Sequence, residues 1–434
     1  MKKLRKLWIS LRSSLWFIPS IMVILASGLA LLLIDVDTRV EADLAEKWPR
    51  IFGVGAEGAR GILEAIAGSM ITVTGVVFSV VIVALSLASN QYTPRILRNF
   101  MRDKGTQIVL GVFVSVFTYC LIVMRTIRGG DDDFVPGIAT GTSILLALTS
   151  IGFLIYFIHH IAEGIQASSI ISTITRETIA AIENVFPEKP PTELRLDEEP
   201  PEQATVINCK ANGYLQTIAP GLKEFAEKHR VILRIENHIG EFIIETTPLV
   251  SVLGTNQLNP KRTEELEEFF VIAEFRTIEQ DPGYGIRQLV DIALKALSPS
   301  INDNATAANC IEHLGAILSN LVPREDPSRI EAKDGKPLVI GCPVNAKALI
   351  DKALLEIRQS ARGNASIVLH MLKIIDTVLN SAKKDTYKHA LLHHIDLLEE
   401  LAVQSIESNL DRHAVSERIT ELRTRHAASS LTTN

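Results

Sequence analysis

A chain of 434 residues has room for two or three domains, and 47% hydrophobic residues do not by themselves separate a membrane protein from a soluble one. A net charge of −6 with no basic block leaves no electrostatic footprint for nucleic acid. Four scattered cysteines, Cys120, Cys209, Cys310 and Cys342, have no CxxC spacing, so neither a disulfide framework nor a zinc knuckle is indicated.

The distribution of charge is more telling than its sum. Residues 15–34, 65–89, 108–124 and 134–157 carry no charged side chain and are long enough to cross a bilayer as helices, which predicts four spans in a transmembrane domain over 1–160. Lys2, Lys3, Arg5 and Lys6 before the first span could be the basic region of a signal peptide, but the apolar run exceeds such a region, so an uncleaved span is expected. Arg95, Arg98, Arg102 and Lys104 crowd the connection between spans two and three. The first loop is rich in acid (Asp35, Asp37, Glu41, Asp43, Glu46, Glu57), and the third carries Asp131 to Asp133. Positive residues stay inside, so both termini are expected in the cytoplasm of a bacterium, with the chain in its inner membrane.

On the second span Gly68, Thr72, Gly75, Ser79, Ser86 and Asn90 recur on one helical face. Small residues and hydroxyls suit close helix packing, and the same polar stripe would suit the wall of a water-filled path in an oligomer. Gly137 and Gly141 form a small-xxx-small pair on the fourth span, and Asp131 to Asp133 form either a solvated loop or an acidic ring at an outer mouth. At the inner end, His159 faces Glu163 at i+4, next to His160. Interfacial anchoring explains these residues better than a metal or pH-sensing role.

The helical pattern continues through Ile161, Ile165, Ile174 and Ile182, which predicts one long stalk helix (161–186) leaving the membrane. A Pro-rich acidic linker follows at 187–204. Short β-branched runs, "TVINC", "GYLQTI", "VILRIE" and "PLVSVL", then read as a small β-domain over 205–254, barrel- or sandwich-like, with a turn at Gly240. A mainly helical domain occupies 255–434, interrupted by a hairpin at Asp334-Gly335, with closing helices near 344–361, 364–382, 385–409 and 412–426. The expected fold class is thus a four-helix integral membrane protein with an α+β cytoplasmic region.

The stretch "RTIEQDPGYGIRQLVDIALKALSPSINDNATA" lies between two apolar helical stripes. One runs through Ile286, Leu289, Val290, Ala293, Leu294 and Leu297, the other through Ala308, Ile311, Leu314 and Leu318. Arg287, Asp291 and Lys295 read as a surface ion-pair ladder, Pro299 as a stop, and the Asn302–Asn304 run as a cap. Left over are Arg276, Asp281 and the "PGYG" turn. With Arg287 and Asp303 these could hold an anionic, nucleotide-like ligand near a helix N-terminus. In the tail, His389, His393 and Asp396 share a face, but HExxH is missing. There is no P-loop, GxGxxG, GxSxG or kinase signature, so neither a conventional enzyme nor a cofactor, metal or catalytic residue is expected.

The stretches "FSVVIVALSLASNQYTPRILRNFMRDKGTQIVLGVFVSVFTYCL", "FIHHIAEGIQ", "NGYLQTI" and the one quoted above resemble the bacterial membrane-protein family called domain of unknown function 2254. The resemblance spans nearly the whole chain. It would place proline where this chain has Asn304, and it implies a multi-pass inner-membrane protein without assigning an activity. The residues and the resemblance together point to an oligomeric channel or transport protein with a cytoplasmic regulatory domain, its partners the lipid bilayer, copies of itself and a small anionic ligand or ion. The alternative is a membrane-anchored signalling or scaffold protein whose soluble part binds a ligand or partner.

Overall fold

The computed structural model describes residues 16–47, 55–91, 103–128, 134–164, 166–189, 203–254, 259–333 and 336–431. These fall into two compact units, Met1–Gln166 and Ala167–Asn434.

The first unit is four helices: α1 (Phe17–Lys47), α2 (Ala56–Gln91), α3 (Lys104–Thr126) and α4 (Gly137–Gly164). Each contains a stretch long and apolar enough to cross a membrane: Phe17–Arg39, Ala56–Leu87, Lys104–Thr126 and Gly137–Gly164. α3 is the central helix and packs on the other three. Its Val109, Phe113, Val116, Tyr119, Cys120 and Val123 are buried along one broad apolar face. The other spans turn apolar faces outward, with Leu25, Val83 and Leu145 exposed, as a lipid environment allows.

α1 and α2 run beyond the apolar stretches that announce them. Asp35 and Asp37, expected in a loop, are helical: Asp35 pairs with Arg39 at i+4 (2.7 Å). Asp37 accepts hydrogen bonds from the N–H groups of Ile138 and Ala139, both at 2.9 Å. A buried carboxylate from one span thereby caps the positive N-terminus of another. Tyr119 donates to the Ala139 carbonyl (2.8 Å) and Arg60 to the Ile127 carbonyl (2.8 Å), so both add to the fastening of the same end of the bundle.

The expected continuous stalk is two helices instead. α4 ends at Gly164, a poor helix former, and α5 runs over Ala167–Val185. Nor is α5 a bare rod: Ile170, Ile171, Ile174, Ala181 and Ile182 are buried against two helices of the second unit described below. A stripe of isoleucines at i, i+4 spacing is a core face. Each buried isoleucine contributes about 1.5–3 kcal/mol of gross stabilisation.

After α5 come β1 (Ala204–Asn208), β2 (Gly213–Ile218), α6 (Leu222–His229), β3 (Ile232–Ile235), β4 (Phe242–Ile243), β5 (Pro248–Leu253), α7 (Pro260–Glu267) and β6 (Phe270–Ala273). Then follow α8 (Pro282–Ala296), α9 (Asn304–Leu321), β7 (Ile330–Lys333), β8 (Lys336–Ile340), α10 (Ala346–Ser360), α11 (Ala365–Ser381), α12 (Asp385–Ser405) and α13 (Asn409–Leu431). One sheet has the order β1-β5-β3-β8-β7 and the other β4-β2-β6. All pairings are antiparallel except β3 with β8. Both sheets are open, so the expected barrel does not form. The β-region is also not confined to 205–254, because β6, β7 and β8 join from later in the chain. β7 and β8 pair as the expected hairpin, Lys333 opposite Lys336, while Asp334 and Gly335 themselves lie outside the described residues. The helical part packs α8 on α5, α9 and α10, with α9 on α11 and α13 on α11 and α12.

Candidate ligand-binding cleft

The N-terminus of α8 is where the two sheets and the helices of the second unit meet. Asp281 is its N-cap: one carboxylate oxygen accepts from the Tyr284 N–H (3.0 Å), and Pro282, which has no N–H to satisfy, takes the first helical position. The other oxygen accepts from Arg276 through Nε (2.9 Å) and Nη2 (2.7 Å). The guanidinium lies over the Tyr284 ring, 5.0 Å from its centroid. Asp281 is 5% exposed, so cap and ion pair are both shielded from water.

The loop His238–Gly240 wraps this pair. Gly240 has φ +87°, and a Cβ there would overlap the Asp281 carboxylate and approach Arg276 Nη2, so both conformation and space demand glycine. Between this loop, the start of α8 and the start of α10 lie two adjoining hollows. The larger, about 440 Å³, is lined by Val185, Phe186, Ile218, Ile235 and Ile239 with Asn184, Asn237 and Gln280 among them. The smaller, about 310 Å³, is lined by His238, Arg276, Asn345 and Lys352. Ile239, Asp281, Gly283, Cys342, Pro343 and Val344 line both, so the two form one cleft. The volumes fall in the range usual for small-molecule sites, about 300–1,000 Å³.

Lys352 is the least compensated charge in the cleft. Burial first, and then Arg276, hold its ammonium below the ordinary lysine range, with Arg287 adding to the repulsion; Asp281 and Glu356 act in the opposite sense. No ion pair or hydrogen bond of Lys352 occurs among the described residues, while each neighbouring cation has a carboxylate. Arg276 has Asp281, and Arg287 has Asp291 (2.7 Å) and Glu356. The space Lys352 occupies is reserved by Gly283, where a Cβ would come within 3.2 Å of the ammonium nitrogen.

The structure therefore brings Arg276, Asp281 and Arg287 around Lys352, and it sets Asp303 apart. Asp303 follows the far end of α8 and caps α9, accepting from the Thr306 N–H (3.0 Å) and hydroxyl (2.6 Å), bonds that hold its carboxyl below the usual range. It is punctuation. Lys352 and His238 were missed: in "DKALLEIR" a lysine four residues before a glutamate reads as a solvated helix face, and only folding carries it to α8.

The second-span stripe also has a definite place. α2 packs inward through Ala59, Leu63, Ala67, Met70, Val77, Val81 and Ala84, whereas Gly68, Thr72, Gly75, Ser79 and Ser86 are exposed on the opposite side. A Cβ on Gly68 or Gly75 would meet nothing within 4 Å. Among the described residues the stripe thus meets no other helix. Thr72 and Ser79 donate to the carbonyls of Gly68 (2.8 Å) and Gly75 (2.9 Å), so their hydroxyls are satisfied in apolar surroundings. Asn90 ends the stripe on α2, its side chain outside the described residues, as are Arg95, Arg98 and Asp131 to Asp133. Gly141 likewise has nothing within 4 Å of an added Cβ.

His159 pairs with Glu163 (3.1 Å) as its spacing suggests, and His160 with Asp103 (2.7 Å), the N-cap of α3. Asp396 binds Arg423 (2.7 Å). Among the described residues no group of three or more His, Cys, Asp or Glu side chains is arranged to hold a metal ion.

Comparison with known proteins agrees with the membrane reading. A family described as predicted membrane protein, DUF2254, matches residues 12–377. An uncharacterised protein of Mycobacterium tuberculosis (strain CDC 1551 / Oshkosh) is 29% identical over 93% of this chain and 79% of its own length. Another from Mycobacterium bovis (strain ATCC BAA-935 / AF2122/97) is 28% identical over the same shares. No solved structure matches the chain. With most of its length covered by the family match and four helices fit to span a bilayer, the chain belongs to the membrane-protein family of domain of unknown function 2254.

Proposed function

We propose that this is a membrane-anchored regulatory protein whose Ala167–Asn434 unit binds a small anionic ligand in the cleft at the N-terminus of α8. The supporting observation is Lys352: a half-buried ammonium with no acceptor among the described residues, beside Arg276 and the positive end of a helix, in a hollow of ligand size. Arg276 and the helix N-terminus share the single Asp281 carboxylate, so the Lys352 charge is the one an anion would relieve. The charged loops favour an orientation in the bacterial inner membrane with both termini cytoplasmic, which puts the cleft in reach of cytosolic metabolites. No catalytic role is proposed for any residue. The test is thermal unfolding of the full-length protein in detergent with phosphate, sulfate, citrate, choline or magnesium. Anions should raise the melting temperature of the wild type and leave Lys352→Met unmoved. An equal shift in both proteins, or none with any anion, would refute the proposal.

A second reading, an oligomeric channel or transporter regulated from the same cleft, draws support from the outward stripe on α2, which is free to meet the same stripe of another copy. Cysteines at Thr72, Ser79 and Ser86 that react with water-soluble thiol reagents in membranes, while one at Val77 does not, would favour it. Uniform protection would leave the anchor reading.

A further inference from the structure

The two hollows of the cleft differ in chemistry, and the difference restricts what an anionic ligand must look like. In the smaller hollow the donors come from three directions. Lys352 supplies its ammonium, and Arg276 has nitrogen valences beyond those bound to Asp281. Gly283, the second residue of α8, has an N–H with no acceptor within the helix. A planar carboxylate has two oxygens to offer such a set, whereas a phosphate ester has three terminal oxygens and nearly two charges at neutral pH. Asp281 does not oppose it strongly, because both its oxygens are already matched, by Arg276 and by the Tyr284 N–H. Among the described residues lining or flanking the cleft there is no second set of free cations for a longer phosphate chain, since Arg287 is held by Asp291 and Glu356 and His238 by Glu241.

The larger hollow opens directly off this one and carries no cation among its lining residues. Its walls are mainly aliphatic, with the ring of Phe186 among them; the polar lining residues are Asn184, Asn237, Glu279, Gln280, Asp281 and Ser328, so the phosphate belongs in the smaller hollow and the body here. The Gln280 amide is engaged with the Ile218 backbone (3.0 Å from the Ile218 N–H), and Asn237 donates to the Pro248 carbonyl (2.6 Å), so these two stiffen the wall. An inorganic anion would leave this space unfilled.

We infer that the cleft accepts a phosphate monoester with a largely apolar body of mononucleotide size, the phosphate between Lys352, Arg276 and Gly283 and the body against Ile218, Ile235 and Ile239. This rests on the anionic-ligand reading above and narrows it. The chemistry is shared by nucleoside monophosphates and by short alkyl phosphates that resemble lipid headgroups with part of a chain, so the test carries both.

The experiment is calorimetric titration of the full-length protein in detergent with adenosine 5′-monophosphate, hexyl phosphate, inorganic phosphate, sulfate, citrate and adenosine. At least one monoester should bind ten-fold or more tightly than inorganic phosphate, and adenosine should not bind. Preference for the nucleotide or for the alkyl phosphate identifies the source, and either supports the inference. Lys352→Met should weaken the monoester at least ten-fold. Gly341→Phe should weaken the monoester and leave inorganic phosphate unchanged. It places an aromatic ring at the rim of the larger hollow, where an added Cβ meets nothing nearer than 3.8 Å, so the variant should fold. Equal affinity for inorganic phosphate and both esters, or an unaffected monoester in Gly341→Phe, would overturn the inference and spare the anion reading. Binding of sulfate or citrate without any phosphate compound would do the same. No binding by any anion would sink both.

Discussion

Removing the Asp281 carboxylate should loosen the cleft from one identifiable point. In Asp281→Ala, α8 loses its N-cap, which costs about 1 kcal/mol. Arg276 loses its only carboxylate partner among the described residues. Breaking a fully buried ion pair costs about 3–5 kcal/mol, but Arg276 is 21% exposed and keeps the Tyr284 ring beneath it, so about 2 kcal/mol is the better figure. The sum, about 3 kcal/mol, should appear as a fall of about 100-fold in amide exchange protection over the first turns of α8. Asp281→Asn keeps an oxygen for the Tyr284 N–H and should lose only the ion-pair share, about 2 kcal/mol. The assay is hydrogen exchange by mass spectrometry on the intact protein, with Arg276→Met completing a double-mutant cycle whose coupling should be about 2 kcal/mol. Protection unchanged in Asp281→Ala, or an asparagine variant as damaged as the alanine one, would refute this partition.

Asp376 on α11 is buried and receives Arg418 (2.9 Å), Arg425 (2.6 Å) and His426 (2.9 Å) from α13. Asp376→Asn should cost about 3 kcal/mol and expose the last helix to trypsin at Arg412 and Arg418, whereas an unchanged digest would show that apolar packing alone holds α13. His394 is held below the ordinary value of 6.5 by burial, with Asp351 (3.0 Å) partly offsetting it. The unfolded chain therefore takes up this proton first as pH falls, and stability should drop from pH 6.5 down to the folded-state value. His394→Met should flatten that part of the melting-temperature profile. Lys352 is depressed below 10.5, so between its folded-state value and 10.5 the unfolded chain binds more protons and stability should rise with pH. Lys352→Met should melt higher than wild type at neutral pH and lose the advantage as pH climbs through that window.

The spans are legible in the sequence because an uncharged run of span length rarely suits a soluble fold, but their ends are not. Asp35 and Asp37 look like loop residues until Asp37 is seen capping α4. Gly164, which separates α4 from α5, sits in an otherwise unbroken helical pattern, and one glycine is too weak a signal to divide a stalk from a core helix. The strands "GYLQTI", "VILRIE" and "PLVSVL" follow from β-branched alternation. The parallel pairing of β3 with β8 joins segments far apart in the chain and has no local trace. The same holds for the cleft. Asp281, Pro282 and the turn glycines declare a helix start, and Arg276 is conspicuous beside them. Lys352 is ordinary in its own helix and becomes unusual only where α10 meets α8. Asp303 is the converse case, since a cap residue beside an interesting loop looks like part of a site, while in the structure it caps α9 and is not among the residues lining the cleft.

The most direct measurement is a structure of the full-length protein determined with saturating monoester. Density for a tetrahedral group within hydrogen-bonding distance of both Lys352 Nζ and Arg276, continuous with a body filling the hollow beside Ile218 and Ile239, is the predicted result. A ligand seated elsewhere, or a cleft filled by a rearranged Lys352 paired to a carboxylate of its own, would contradict the claim that this cleft is the binding site.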